Sequence, residues 1–187
     1  MTAWHDPSGG IRLASAGSEH AIRIWDPDAG MLTSTNLSSA GQEVWALCSW
    51  HAADGSPRFA SADFSGIIQI WDSTTGSPMG RPLVGDVGAV RALTCWQHAD
   101  GNVRIAAGGD RGIRVWDTDT GASVAGWEIP GGVRTLVCWH TDDGSTRLAS
   151  GGDDGMVRLW DPYSGLALRT IEVGEVSIWG LSDTPAS

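Results

Sequence analysis

The chain has 187 residues, of which 11 are Trp and 26 are Gly, whereas Phe and Tyr together number only three. Its 12 basic residues are all Arg and its acidic residues number 22, so the net charge of −10 argues against nucleic acid or an anionic membrane as a partner. The composition is that of a globular protein, with no apolar run long enough to span a bilayer. Because the start shows no secretory signal pattern and the three cysteines are an odd number, we expect free thiols and a cytoplasmic location.

A tandem repeat runs along the chain. The dipeptide Trp-Asp recurs at intervals of 46, 45 and 44 residues, and a second series of Trp residues recurs at intervals of 46, 46 and 43. Two independent series with the same period indicate a repeat of about 45 residues. The Trp residues of the first series are Trp25, Trp71, Trp116 and Trp160, and those of the second are Trp4, Trp50, Trp96 and Trp139.

Each repeat predicts four short antiparallel strands. In the last repeat these are Val133–Trp139, Arg147–Ser150, Val157–Trp160 and Ala167–Ile171, separated by turns that contain Gly or Pro. No segment of ten residues shows an apolar period of 3.6 residues, so we expect almost no helix.

This pattern resembles the WD40 family, whose repeats of about 40–45 residues form the four-stranded blades of a β-propeller. The resemblance extends over nearly the whole chain and implies an all-β, WD40-like β-propeller region over residues 1–187. Its four blades are expected at about 1–42, 43–88, 89–131 and 132–175, with 176–187 as a C-terminal stub.

The family's turn Asp, six residues before the Trp, is present only as Asp110 and Asp154, and the Gly-His pair that often opens a repeat is absent. The family's buried Asp-His-Ser/Thr-Trp network is therefore expected to be incomplete.

The two ends of the chain match complementary halves of one inner strand. Ser177–Leu181 matches Glu43–Leu47, and Ala3–His5 matches Ser49–His51. Because WD40 propellers commonly close with six to eight blades, four blades are expected to form a half ring with two open apolar flanks. We expect two chains to associate head to tail into an eight-bladed ring, in which the stub of one completes the first blade of the other. A fragment of a longer propeller and a closed four-bladed monomer are the alternatives.

The sequence shows no catalytic or metal-binding constellation. Its Cys and His residues recur about once per repeat, whereas zinc ligands come in closely spaced pairs. Acidic turns such as Asp117–Gly121 lack the closing Glu of a calcium loop. Nothing resembles a nucleophile elbow or a phosphate-binding glycine loop before a helix. We therefore expect no metal, no cofactor and no enzymatic activity.

One aligned position on the inner strands is a candidate binding site. It holds Trp45, Arg91, Arg134 and Trp179, each beside a Val or Ile. The resemblance places it at the upper mouth of the central channel, where WD40 proteins commonly meet peptides. Since Trp and Arg are enriched at binding hot spots, the position predicts a site for a flat or acidic ligand. In the alternative interpretation, the Trp residues pack between blades and the Arg residues pair with acidic neighbours.

The function predicted from these features is that of a non-catalytic scaffold, which binds a second copy of itself and an unidentified protein or peptide. A carbohydrate- or small-ligand-binding, lectin-like propeller with one Trp-lined site per blade is the competing interpretation. A third interpretation is that the chain is a sensor module of a larger signalling protein. The fold alone does not distinguish these three functions.

Overall fold

The computed structural model describes residues 1–38 and 43–182, which contain sixteen strands and no helix. None of these residues therefore belongs to a helix long and apolar enough to cross a membrane. The strands are β1 (Thr2–His5), β2 (Ile11–Ala16), β3 (Ala21–Asp26), β4 (Met31–Ser38), β5 (Val44–His51), β6 (Pro57–Asp63), β7 (Ile67–Asp72), β8 (Pro78–Val84), β9 (Val90–Gln97), β10 (Val103–Gly109), β11 (Gly112–Asp117), β12 (Ser123–Glu128), β13 (Thr135–His140), β14 (Thr146–Gly151), β15 (Met156–Trp160) and β16 (Ala167–Glu172).

The strands form four antiparallel sheets of four strands each, β1–β4, β5–β8, β9–β12 and β13–β16, and each sheet follows chain order. The all-β, propeller-like architecture predicted from the repeats is thus confirmed, and each sheet lies inside one of the predicted repeat segments. Residues 39–42 at the end of the first segment and 183–187 of the predicted stub lie outside the described residues.

Side-chain hydrogen bonds explain why the acidic segments after the third strands are tight turns. The carboxylate oxygen Oδ1 of Asp117 accepts hydrogen bonds from the backbone N–H groups of Asp119 at 3.0 Å and Thr120 at 2.8 Å. Such an Asp side chain closes a turn on its own backbone. The segment Asp117–Gly121 is therefore a turn, as the sequence predicts.

The core lies between successive sheets, and the third-strand Trp of the second, third and fourth sheets packs against the sheet before it. Trp71 joins Trp4 and Phe59 in one cluster, with ring centroids 5.5 Å apart for Trp4 and Phe59 and 6.1 Å apart for Phe59 and Trp71. Trp116 packs in the same way onto the second sheet, and Trp160 onto the third. Packing of large aromatic rings thus holds neighbouring sheets together.

Part of the family's Trp network is present. The indole N–H donates to a Ser hydroxyl on the second strand in three sheets, and the third sheet has Ala107 at that position. These pairs are Trp25–Ser15 at 2.8 Å, Trp71–Ser61 at 2.9 Å and Trp160–Ser150 at 2.8 Å.

The inner strands β1, β5, β9 and β13 pack side by side in that order. They are also joined by a repeated hydrogen bond from the residue before the inner-strand Trp. The Ser49 hydroxyl donates to the backbone oxygen of Ala3 at 2.8 Å, the Cys95 thiol donates to that of Ser49 at 3.3 Å, and the Cys138 thiol to that of Cys95 at 3.1 Å. Each bond therefore connects a sheet to the one before it.

The first sheet has an open flank, which shows in the burial of repeat-equivalent residues. Trp25 is 36% exposed, whereas its counterparts Trp71, Trp116 and Trp160 are 4%, 2% and 6% exposed. Leu13 is likewise half-buried, although the equivalent Phe59 is fully buried. We call Leu13 and Trp25 the N-terminal flank.

The last sheet is open on its opposite side. Trp139, Val157 and Leu159 are only half-buried, although the residues at the same positions of the third sheet, Trp96, Ile113 and Val115, are buried. We call Trp139, Val157 and Leu159 the C-terminal flank.

Candidate partner-binding surface

The structure places the four predicted site residues in two pairs. The guanidinium carbon of Arg91 lies 4.6 Å from the ring centroid of Trp45, and that of Arg134 lies 5.3 Å from the ring centroid of Trp179. Both distances are those of cation–π contacts. Each contact joins an inner-strand position to the same position of the next repeat. We call these four residues the mouth surface.

Buried neighbours fix the backbone beneath the mouth surface. Val44, Val90 and Val133 are buried, and Ile178 is half-buried. In β5 and β9, where side chains alternate along the strand, burial of Val44 and Val90 turns Trp45 and Arg91 outward.

The C-terminal segment contributes Trp179 without forming a strand. The backbone N–H of Ile178 donates to Gly152 O at 3.0 Å, as that of Val133 donates to Gly109 O at 2.9 Å. The predicted stub therefore lies on the fourth sheet where the inner strand of a further blade would begin, although its described residues are not assigned to a strand.

Each arginine of the mouth surface also pairs with a carboxylate. Arg91 Nε lies 3.1 Å from Asp110 Oδ1, and Arg134 Nε lies 2.9 Å from Asp153 Oδ2. The hydrogen bond from Arg134 lowers the pKa of Asp153, and the same bond raises the pKa of Arg134. Both groups of this pair are therefore held in their charged forms.

The two interpretations of this position each describe part of the geometry. The arginines do pair with acidic neighbours, as the alternative expects. The aromatic rings, however, are not packed between blades, because Trp45 is 45% exposed and Trp179 is 69% exposed. The accessible parts of the surface are accordingly two indole rings and the partly exposed carboxylates of Asp110 and Asp153. A role of these residues in partner binding stays a prediction.

Sequence reasoning did not identify which carboxylates pair with the arginines, and it missed one aromatic neighbour. Phe64 lies 5.7 Å from Trp45 between ring centroids and is exposed. When residues are counted back from the third-strand Trp, Asp110 aligns with Asp154. In the structure, however, the counterpart of Asp110 is Asp153, which binds the equivalent arginine. Asp154 instead pairs with Arg158 at 2.7 Å. Alignment on the second strand gives the correct pairing, because the hairpin between β10 and β11 is one residue shorter than its counterparts.

The cysteines and histidines act within the fold. Contact with the Cys95 thiol, together with burial, raises the pKa of Cys48 well above its ordinary value. His51 Nε2 lies 3.0 Å from His5 O, between neighbouring inner strands. Within residues 1–38 and 43–182, no group of three or more His, Cys, Asp or Glu side chains has the geometry to hold a metal ion.

Comparison with protein families supplies the identification. The family model for the WD domain, G-beta repeat, matches residues 81–117 and 128–161. The chain contains WD40 repeats. Each matched segment runs from the fourth strand of one sheet through the third strand of the next, and the predicted resemblance to the WD40 family is confirmed. A comparison with curated proteins gives no match.

Three cavities recur at equivalent places between successive sheets. The first inter-blade cavity, of about 450 Å³, is bordered by Trp4, Arg12 and the turn after β7. The second, of about 620 Å³, is bordered by Arg58, Met79 and the turn after β11. The third, of about 120 Å³, is bordered by Trp96, Arg104, Pro162 and Tyr163, the last two from the turn after β15.

Proposed function

We propose that the chain is a non-catalytic interaction scaffold, which binds a second copy of itself through its flanks and a protein or peptide through its mouth surface. The observation that carries this proposal is the exposure of Trp25, since the same residue of every other repeat is buried against a neighbouring sheet. An apolar surface of this kind on one side of a repeat array is typical of an interaction site. The cysteines are thiols in the structure, which suits the cytoplasmic location we propose.

The repeat itself supplies the argument for a second copy. Between the third and fourth sheets, Trp96 and Val115 pack in one cluster with Leu148 and Trp160. Trp96 and Val115 occupy the positions of the C-terminal flank, whereas Leu148 and Trp160 occupy those of the N-terminal flank. The two flanks are thus the two halves of an interface that the chain already forms internally. Two chains joined head to tail at both flanks would form a closed ring of eight blades.

Native mass spectrometry tests the association. The expected particle has twice the chain mass of 19.6 kDa. Trp25→Ala should convert it to monomer, because the replacement removes the largest side chain of the N-terminal flank. Trp45→Ala is the matched control, since it removes another exposed Trp outside the flanks. A wild-type particle of 19.6 kDa at micromolar concentration would rule out the proposed dimer.

The mouth surface is proposed as the contact site for a protein or peptide partner. In an eight-bladed ring the surface would occur twice and present four Trp and four Arg side chains around one opening. The double variant Arg91→Ala, Arg134→Ala should weaken affinity capture of partners without unfolding the chain. Arg169→Ala, an exposed change of the same charge on β16, is the control. Equal capture by the double variant and the wild type would remove the mouth surface from the proposal.

A second candidate function is that of a ligand-binding propeller. The three repeat-related cavities favour it, because two of them exceed 400 Å³ and lie in the size range of small-molecule sites. Tryptophan fluorescence titrated with neutral and acidic sugars tests this candidate. Saturable quenching supports it, and a linear response at every concentration rejects it.

A further inference from the structure

The second inter-blade cavity differs in shape from its counterpart between the third and fourth sheets. In the third cavity Tyr163 fills the space, with its hydroxyl 2.8 Å from Thr146 Oγ1 and its ring edge-on to His98 at 4.9 Å. The equivalent residue of the second cavity is Asp119, a much smaller side chain at the rim. The second cavity therefore remains open at about 620 Å³, about five times the volume of the third.

The arginine of the second cavity is also paired less completely than its counterparts. In the first cavity Arg12 lies between the carboxylates of Asp6 at 2.8 Å and Asp26 at 2.9 Å. In the third, Arg104 likewise pairs with two aspartates, Asp100 and Asp117.

Arg58, at the equivalent position of the second cavity, makes a single ion pair. Its NH1 atom lies 3.5 Å from Asp119 Oδ1, and its Nε is buried with no hydrogen-bond partner in the described part of the chain. The buried Nε is out of a ligand's reach, so an added acceptor would bind at the terminal nitrogen atoms, which in the described part of the chain make only the long contact to Asp119.

A second arginine borders the same cavity. Arg81 on β8 is exposed, and within the part of the chain that the structure describes it forms neither an ion pair nor a hydrogen bond. Two guanidinium groups thus border the cavity with one carboxylate, that of Asp119. Arg58 also interacts electrostatically with Asp54 and Asp72, so among the described residues Arg81 is the guanidinium of this cavity without an acidic partner.

The rest of the cavity wall combines hydroxyl groups with an apolar surface. Thr118 and Thr120 lie on the turn after β11. The Thr118 hydroxyl oxygen is buried with no partner in the described protein, whereas the Thr120 hydroxyl donates to Asp117 Oδ1 at 2.9 Å and accepts from the Ala122 N–H at 3.2 Å. Ile70 and Met79 border the opposite side. A ligand that suits all these groups has an anionic end, hydroxyl groups and a compact body.

We propose that the second inter-blade cavity binds a small organic acid, whose carboxylate pairs with Arg58 and Arg81 and whose hydroxylated body contacts Thr118 and Thr120. This site is separate from the flanks and from the mouth surface, so it goes beyond the scaffold function. Arginine is suited to the task because its planar group of donors matches both oxygens of a carboxylate.

Isothermal titration calorimetry with sodium D-glucuronate tests the proposal on the wild-type chain. D-glucose serves as the uncharged counterpart with a similar ring, and inorganic phosphate serves as an anion without the sugar body. Binding of glucuronate, with no binding of glucose and weaker binding of phosphate, is the expected result. Absence of glucuronate binding, or phosphate binding of equal or greater strength, would overturn the proposal.

Two variants locate the site. Arg81→Ala should weaken glucuronate binding by about tenfold or more, because it removes a charge-assisted hydrogen-bond donor from an exposed position that the fold does not need. Arg58→Lys, which keeps the charge but loses the planar donors, should weaken binding as well. Arg169→Ala on β16 is the control for loss of one exposed arginine, with folding checked by circular dichroism. Equal affinities of Arg81→Ala and Arg169→Ala would show that the cavity is not the site.

Discussion

Replacing Ser61 by Ala removes one buried hydrogen bond from the second sheet. Trp71 Nε1 donates to Ser61 Oγ at 2.9 Å, and the two residues are only 4% and 2% exposed. In the variant the indole N–H has no partner in a region that water does not reach. A buried donor left in this state costs about 1–3 kcal/mol, and we expect the free energy of unfolding to fall by that amount.

The first sheet supplies the matched control. Trp25 makes the same bond to Ser15 at 2.8 Å, but its side chain is 36% exposed in the single chain. At concentrations where native mass spectrometry shows monomer, water can replace the lost oxygen in Ser15→Ala, and the expected cost is at most about 0.5 kcal/mol.

Urea denaturation followed by circular dichroism measures both variants against the wild type. The midpoint shift multiplied by the slope m gives the change in stability, provided that m is the same in all three proteins. Equal losses for Ser61→Ala and Ser15→Ala would refute the reasoning, since only the first leaves a donor buried. A loss below 0.5 kcal/mol for Ser61→Ala would refute it too.

Three further predictions concern titratable groups. Hydrogen bonds from the Thr141 hydroxyl, and then from Ser145, lower the pKa of Asp143 from 3.8 to about 2, so the stabilisation from this carboxylate is present above pH 3.8 and is lost as the pH falls towards 2. Carbon-detected NMR should show that titration, and Thr141→Val should raise the pKa; an unchanged midpoint would contradict the assignment. Arg134→Ala should raise the pKa of Asp153 in the same experiment, because the guanidinium is the main group that lowers it. Cys48 should react slowly with iodoacetamide at pH 8, because its pKa is raised and the thiolate is the nucleophile; fast labelling of the folded chain, detected by mass spectrometry, would argue against this.

The sequence predicts strands and sheets well because the repeat shows each strand four times. In the last repeat, the predicted strand Val157–Trp160 appears as Met156–Trp160, and Ala167–Ile171 appears as Ala167–Glu172. The alternation of buried and outward side chains on the inner strands is likewise readable, so the exposure of Trp45 follows from the burial of Val44.

Contacts between repeats are harder to predict, because they depend on turn lengths and on single side chains. The one-residue difference in the hairpin after β10 is enough to align Asp110 with Asp154 rather than with Asp153, its structural counterpart. The volume of a cavity depends on the side chain at one turn position, which is Asp119 in the second cavity and Tyr163 in the third. The repeat pattern does not predict this volume. Nor does it show that the Cys95 and Cys138 thiols donate hydrogen bonds between sheets.

The direction of these inter-sheet bonds has a consequence for synthesis on the ribosome. The hydroxyl of Ser49 and the thiols of Cys95 and Cys138 all donate to a strand that was made earlier. The third-strand Trp of the second, third and fourth sheets also packs on the earlier sheet. A newly emerged repeat therefore meets its acceptors and its apolar contact surface already folded. Each of these contacts is made by a later sheet onto an earlier one, which is the order in which translation produces them. A completed sheet can therefore provide the surface on which the next sheet folds.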